Sequence, residues 1–178
     1  MLNASLRKLH ETLGISTSYA ETTKLPLQPV PDDLTEIGKD IYNRSQRLRS
    51  AAAAAWHVIQ NSAAEANVEI AVVSAFRSPE YQAQLIQRQL DRGDSIDEIL
   101  TRVAAPGFSE HHSGCALDLT TPGFEAVEQE FEDSAAFVWL VENAATFGFY
   151  MTYPRDNDYG VIYEPWHWCF KHEQASRA

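Results

Sequence analysis

The chain has 178 residues, of which 44% are hydrophobic, and a formal net charge of −11. This length suits one domain with a sizeable core, and the negative charge, without any lysine or arginine run, argues against a nucleic acid partner. The longest apolar runs, such as residues 51–56, are far shorter than the roughly 20 residues of a membrane span, so no membrane span is expected.

The first third of the chain predicts helices joined by a proline-rich connection. Residues 3–13 are expected to form a short helix that ends at Gly14, and residues 22–33 to form an extended surface connection. From Asp32 or Asp33, apolar or small residues recur at helical spacing, which predicts a long amphipathic N-terminal helix of about thirty residues. We therefore expect residues 1–33 to be a lead-in and residues 34–178 to be a single domain.

The rest of the chain mixes strands and helices. Strands are predicted at residues 69–75, 115–120, 149–153 and 161–170. Helices are predicted at residues 79–93, after a Ser78 cap, at a capping box of Ser95 and Glu98, and at residues 134–148. Because these elements do not alternate strictly, the expected fold class is α+β, with a small antiparallel sheet flanked by helices.

Two histidine-bearing segments carry the residues most suited to chemistry. Residues 109–118 read SEHHSGCALD, and residues 163–170 read YEPWHWCF. A hydrolytic zinc site needs three ligands from His, Asp or Glu, a position left to water, and a nearby carboxylate that is not a ligand. The two segments offer His111, His112, Asp118, Glu164 and His167.

The spacing of these residues permits a metal site but does not prove one. Pro165, between Glu164 and His167, disfavours a helix, so this is not the helical HExxH arrangement. A local turn at Pro165 must then bring the carboxylate near the metal. In the first segment, a turn at residues 113–114 breaks the strand alternation before Asp118.

The same segments resemble a known family. SEHHSGCALD is similar to the S-x-H-x-x-G-x-A-x-D motif of the VanY-type D-alanyl-D-alanine carboxypeptidases, zinc peptidases of bacterial cell-wall peptides, and EPWH is similar to their second motif. SAFRSPEYQ, at residues 74–82, resembles the family's S-x-Y-R-S-x-x-x-Q substrate segment, with Phe76 where tyrosine is usual. The three motifs follow the family's order, and the family's fold group includes the hedgehog signalling domain.

The resemblance implies a role for each motif residue. The implied zinc ligands are His111, Asp118 and His167, and the implied catalytic base is Glu164. The implied substrate contacts are Arg77, Gln82 and Ser109, and Tyr153, before Pro154, is a further candidate to bind substrate or oxyanion. His112 is left without a ligand role.

Several of these residues also have ordinary structural interpretations. Arg77 can pair with a surface carboxylate such as Glu80, Gln82 can be an exposed helix residue, and Ser109 can cap a turn. Trp166 and Trp168 are expected to form pocket wall or core, and Cys115 and Cys169 are expected to be buried, reduced thiols. No cluster is visible for His10, His57 or His172.

The implied function is a zinc carboxypeptidase that removes the terminal D-alanine of peptidoglycan peptides. The N-terminus lacks a signal peptide, which predicts a cytoplasmic protein, or a periplasmic or cell-envelope one if the chain was trimmed. This favours L,D cleavage of recycled tetrapeptides over D,D cleavage of pentapeptide ends. An endolysin-like endopeptidase and a non-catalytic zinc module stay open, although the module would not need Glu164.

Overall fold

The computed structural model describes residues 2–171 of the chain. Within this range there are six α-helices and six strands, and the strands form two antiparallel sheets. The helices are α1 (Ala4–Thr12), α2 (Tyr19–Thr22), α3 (Ser50–Glu65), α4 (Pro79–Leu90), α5 (Ile96–Leu100) and α6 (Ala135–Asn143). The strands are β1 (Leu34–Lys39), β2 (Ser45–Arg49), β3 (Ala71–Ser74), β4 (Ala116–Thr120), β5 (Phe149–Met151) and β6 (His167–Phe170). His172 lies outside the described residues. The predicted α+β class is confirmed.

The larger sheet has four strands in the order β3-β4-β6-β5, and each neighbouring pair is antiparallel. Strand β4 is buried along its whole length. Its Leu117 and Leu119 belong to the main core cluster, together with Trp56 of α3 and Leu140 of α6. Because side chains alternate along a strand, Asp118 points away from this core. The sheet thus sets one carboxylate on the face opposite α3 and α6.

A second apolar cluster joins the N-terminal segment to the helices that follow β3. Leu13 and Ile15 are buried there with Ile86 of α4, Ile99 of α5 and Phe108. This cluster contains residues on both sides of position 33. The division into a lead-in and a domain stays a prediction. Among the described residues, none of the helices combines the length and the hydropathy that a bilayer crossing requires.

The predicted long N-terminal helix is wrong, because residues 34–49 form the hairpin β1-β2 and α3 begins only at Ser50. The loop between the strands is built by Asp40, whose carboxylate accepts from the backbone N–H of Tyr42 and Arg44. Asn43 in this loop has a φ of 63°. Turn chemistry of this kind overrides an accidental helical spacing of apolar residues.

The hairpin is tied to the end of β3 through one buried side chain. The Gln46 Nε2 group donates to Asp40 at 2.7 Å, and the Gln46 Oε1 atom accepts from the backbone N–H of Ala75 at 2.9 Å. A further backbone bond joins the Phe76 N–H to the Arg47 carbonyl at 3.0 Å. These bonds fix the chain just beyond β3, where the substrate-like motif begins.

Several element boundaries also differ from those predicted. The strand predicted at residues 161–170 occupies only His167–Phe170, since a loop and a turn precede it. The helix predicted at residues 134–148 ends at Asn143, and one 3₁₀ turn carries the chain to Gly148. The capping box of Ser95 and Glu98 is confirmed.

Candidate metal centre

Three buried side chains converge on the open face of the four-stranded sheet. Asp118 lies in β4 directly opposite His167, the first residue of β6. His111 lies in a 3₁₀ turn, Glu110–Ser113, that precedes β4. One ligand atom from each of these residues lies within 4.8 Å of the other two. The three residues implied as zinc ligands are therefore brought together, and His112 is not part of the group.

The turn that delivers His111 depends on the glycine of the motif. Gly114 has a φ of 68°, and a Cβ there would meet the Arg49 and Leu34 side chains at 3.0 Å. The Gly114 carbonyl accepts from the Arg49 N–H at 2.8 Å. Glycine thus provides both the left-handed conformation and the close approach to the hairpin. The turn predicted at residues 113–114 is confirmed.

His111 presents a lone pair to a carboxylate oxygen. Its Nδ1 lies 2.6 Å from the Ala75 carbonyl, which fixes the ring proton on Nδ1. Burial, with the charge of Arg77, lowers the pKa of His111 to about 4, so the ring is neutral. Its Nε2 lies 3.1 Å from Asp118 Oδ2 without a hydrogen bond. Two acceptors that face each other in a buried site fit a bound cation.

His167 is held between two carboxylates. Its Nδ1 lies 3.0 Å from Asp118 Oδ1, and its Nε2 lies 3.0 Å from Glu110 Oε2. Burial lowers the pKa of His167, but the hydrogen bonds to Asp118 and Glu110 outweigh it and raise the pKa to about 10. The metal-free ring is therefore an imidazolium, and its Nδ1 proton points where a metal would bind.

Glu110 is a site residue that our sequence analysis missed. Its carboxylate orients the His167 ring, because the bond to Nε2 leaves Nδ1 to face Asp118 and His111. Burial raises the pKa of Glu110, yet the hydrogen bond from His167 gives a net lowering. The available signal was an acidic residue directly before His111 in the motif.

The predicted turn at Pro165 is confirmed, and it brings Glu164 to the metal centre. The His167 N–H donates to the Glu164 carbonyl at 3.1 Å, which closes a turn with proline in its second position. Glu164 Oε2 then lies 3.9 Å from His167 Nδ1. Burial raises the pKa of the Glu164 carboxyl to about 7. This value suits a group that accepts and returns protons near neutral pH.

Arg77 pairs with the central aspartate. Its Nη2 lies 3.0 Å from Asp118 Oδ2, and its Nη1 donates to Gln82 Oε1 at 3.2 Å. Gln82 is buried and also donates to the Ala104 carbonyl at 2.8 Å. The interpretation of Gln82 as an exposed helix residue is therefore wrong. His112 supports the same arginine, since its Nδ1 lies 2.7 Å from the Arg77 carbonyl.

A cavity of about 530 Å³ opens over the metal centre. It is lined by all the predicted site residues, which are Arg77, Gln82, Ser109, His111, Asp118, Tyr153, Glu164 and His167. The Tyr153 ring lies 4.9 Å from the His167 ring, and burial raises the pKa of its hydroxyl, which keeps it protonated. Tyr153 can therefore donate a hydrogen bond into the cavity. The substrate roles of these residues stay predictions.

The cysteines, the tryptophans and the remaining histidines of the described residues are outside the group of three candidate ligands. Cys115 and Cys169 both have free thiols, and burial raises the pKa of each. His10 Nε2 bonds to the Pro106 carbonyl at 2.7 Å, and His57 is exposed on α3. Trp168 is buried in the main core, whereas Trp166 also lines the cavity.

In sequence, the chain resembles bacterial carboxypeptidases over most of its length. The family profile described as VanY, D-alanyl-D-alanine carboxypeptidase, matches residues 45–173. The Bacillus subtilis protein YodJ is 30% identical over 162 residues, which cover 86% of this chain and 58% of YodJ. The chain thus spans little more than half the length of this relative.

Solved carboxypeptidases have the same fold. The LdcB LD-carboxypeptidase superposes with a TM-score of 0.72 at 28% identity, over 82% of this chain and 71% of LdcB. The vancomycin-resistance D,D-pentapeptidase VanY, solved as a mutant with Zn(II), superposes with a TM-score of 0.60 at 26% identity, over 81% and 85% of the two chains. One of these neighbours is therefore an L,D enzyme and the other a D,D enzyme.

Proposed function

Because the chain belongs to the VanY family of D-alanyl-D-alanine carboxypeptidases, we propose that it is a zinc carboxypeptidase acting on peptidoglycan peptides. The observation that carries this proposal is the buried group of His111, Asp118 and His167, with the carboxylate of Glu164 beside it. A binding module would have no use for this carboxylate, whose burial costs free energy. The arrangement therefore favours hydrolysis.

The proposed zinc ligands are His111 Nε2, a carboxylate oxygen of Asp118 and His167 Nδ1. Two nitrogens and one oxygen form the ligand set of many hydrolytic zinc sites. Zinc bound there would lower the pKa of a coordinated water from nearly 16 to around 7 and would polarise the scissile carbonyl. The second nitrogen of each histidine is already bonded, His111 to Ala75 and His167 to Glu110.

Glu164 is the proposed general base. Its carboxylate accepts a proton from the attacking water, and the resulting carboxyl returns the proton to the leaving amine. Burial keeps the pKa of this group at about 7, so both protonation states are accessible near neutral pH. The Tyr153 hydroxyl, which also lines the cavity, is a candidate donor to the oxygen of the scissile carbonyl.

Arg77 is the proposed recognition group for the free carboxylate of the substrate. Its guanidinium lines the cavity and already bonds to Asp118 and Gln82, so these neighbours fix its orientation. A planar guanidinium can hold a carboxylate through two parallel bonds. Ser109, which lines the same cavity, is proposed as a further substrate contact.

Within this activity we favour L,D cleavage, the removal of D-alanine from tetrapeptide ends. The support is the similarity to the LdcB LD-carboxypeptidase, which has a TM-score of 0.72 to this chain. A cytoplasmic location, as predicted from the sequence, remains part of this proposal. The alternative is D,D cleavage of pentapeptide ends at the same centre.

The proposal predicts a defined product from a peptide series. We expect zinc-loaded protein to release one D-alanine from a tetrapeptide, more slowly from a pentapeptide, and nothing from a tripeptide. A tetrapeptide amidated at its C-terminus should be a poor substrate, because Arg77 then has no carboxylate to bind. Mass spectrometry of the products is the measurement. Equal cleavage of the free acid and the amide would instead indicate an endopeptidase.

Zinc binding should release protons in proportion to the charge on His167. The pKa of this ring is raised to about 10, so at pH 7 the metal-free ring holds a proton that must leave Nδ1. We expect about one proton released per zinc, and affinity that rises about tenfold per pH unit between pH 6 and 8. Calorimetry in two buffers of different ionisation enthalpy measures the release. Zinc uptake without proton release would contradict the assignment of His167 Nδ1.

A further inference from the structure

The lead-in is anchored to the loop that precedes the metal-binding motif. The Gln28 N–H donates to the Gly107 carbonyl at 2.8 Å, and the Tyr19 ring contacts the Phe108 ring at 5.3 Å. His10 of α1 bonds to the Pro106 carbonyl in the same loop. Residues 10–28 therefore hold a fixed position beside the cavity and are more than a surface connection.

This anchored segment forms one wall of the substrate space. Leu25 lines the catalytic cavity, although it lies outside the residues 45–173 that match the family profile. A second, shallower cavity of about 290 Å³ is lined by Tyr19 and residues 22–25 of the lead-in, by Leu100 and Thr101, and by residues 159–161. Leu25, Leu100, Thr101 and Val161 line both cavities. The two cavities therefore adjoin each other at these four residues.

We infer that this second cavity, which we call the distal cavity, binds the part of an acidic peptide substrate that precedes the scissile bond. The inference rests on the proposed carboxypeptidase function. An exopeptidase that releases one residue needs little room on the side of that residue, whereas the rest of the peptide extends away from the metal centre. The distal cavity adjoins the catalytic cavity at Leu25 and Thr101, so it is placed to accommodate that remaining part.

The chemistry of the distal cavity favours a substrate with carboxylates. Lys24 is the only charged residue among the described residues that line it, and Arg102, which pairs with Asp94 at 3.3 Å, lines the catalytic cavity. Both cations lie on a protein whose net charge is −11. The remaining lining includes the hydroxyls of Tyr19, Tyr159 and three threonines, which can bond to peptide groups. The lead-in thereby supplies specificity to the catalytic centre.

Three peptides with the same two C-terminal residues test this inference. The first is an N-acetylated dipeptide, the second is a longer peptide with a carboxylate side chain upstream, and the third carries a carboxamide in its place. We expect zinc-loaded wild type to have the highest kcat/KM for the second peptide. Lys24→Ala should lower the preference for carboxylate over carboxamide by up to about fivefold, as expected for an exposed ion pair.

A second variant tests the junction between the two cavities. Thr101→Trp should lower the kcat/KM for both longer peptides relative to the dipeptide by about tenfold, because an indole at the junction blocks the passage. The matched control is Lys8→Ala, since Lys8 is exposed on α1 and lines neither cavity. This control should leave both ratios unchanged.

The outcomes separate the two levels of the proposal. If wild type cleaves the peptides but neither variant changes the ratios, the distal cavity is not a substrate site, while the proposed function stands. If wild type prefers the dipeptide, the inference also fails. If wild type with bound zinc cleaves none of the three peptides, the proposed carboxypeptidase function is wrong, and the inference falls with it.

Discussion

We expect Glu164→Gln to keep the fold and much of the zinc affinity but to lose turnover by about 10²–10⁴-fold, the usual effect of removing a general base. The amide has nearly the same shape as the carboxylate but cannot accept the proton of the attacking water. Glu164 lies 3.9 Å from His167 Nδ1, and its side chain is outside the group of three ligands. Steady-state kinetics with bound zinc measured in parallel would test this expectation.

The same variant has two informative alternatives. Turnover near that of wild type would show that another group is the base. Loss of zinc together with activity would make Glu164 a ligand or a support for one. Glu128→Gln serves as the control, because Glu128 also lines the cavity. Within the described residues, no hydrogen bond or ion pair joins it to His111, Asp118 or His167.

We expect His167→Ala to abolish stoichiometric zinc binding and, with it, all measurable activity. Loss of an outer-shell partner typically costs about 10–100-fold in metal affinity, and loss of a ligand should cost more. His167 is also the only residue that connects Asp118 to Glu110, through its two ring nitrogens, within the described part of the site. Metal analysis of the purified protein and a zinc titration measure the effect.

Two further variants provide a partial loss of zinc binding and an unchanged control for comparison. Glu110→Gln should weaken zinc binding by about 10–100-fold without abolishing it. The amide can still orient the His167 ring, but a neutral group raises the basicity of the ligand atom Nδ1 less than a carboxylate does. His57→Ala should change nothing, since His57 is exposed on α3. Zinc content equal to that of wild type in His167→Ala would remove His167 from the ligand set.

The parts of the site that were predictable from sequence are those fixed by local rules. A proline after Glu164 requires a turn, and a glycine after the two histidines permits the left-handed residue that ends the 3₁₀ helix. Ser95 and Glu98 likewise predict a capping box, which needs no tertiary contact. Each of these signals lies within four residues of its effect, so neighbours along the chain are enough to determine it.

The parts that were missed depend on partners distant in sequence. Arg77 pairs with Asp118, which lies forty-one residues away, and not with its neighbour Glu80. Glu110 has a role only because β6 brings His167 to it, fifty-seven residues later. The hairpin was misread partly for the same reason, because the buried Gln46 bonds to Ala75, twenty-nine residues away. The turn at Asp40 was a local signal, but the apolar spacing was given more weight. The spacing of apolar residues along the chain does not predict such long-range side-chain pairs.

One of these missed contacts links the hairpin to the metal centre. Gln46 accepts from the N–H of Ala75, and the carbonyl of the same Ala75 accepts from His111 Nδ1. A ligand that binds only the folded arrangement stabilises every bond on which that arrangement depends. A cation at His111 would therefore slow the local opening of β1 and β2, although neither strand supplies a ligand. The hairpin and the metal centre would then open and close as one cooperative unit.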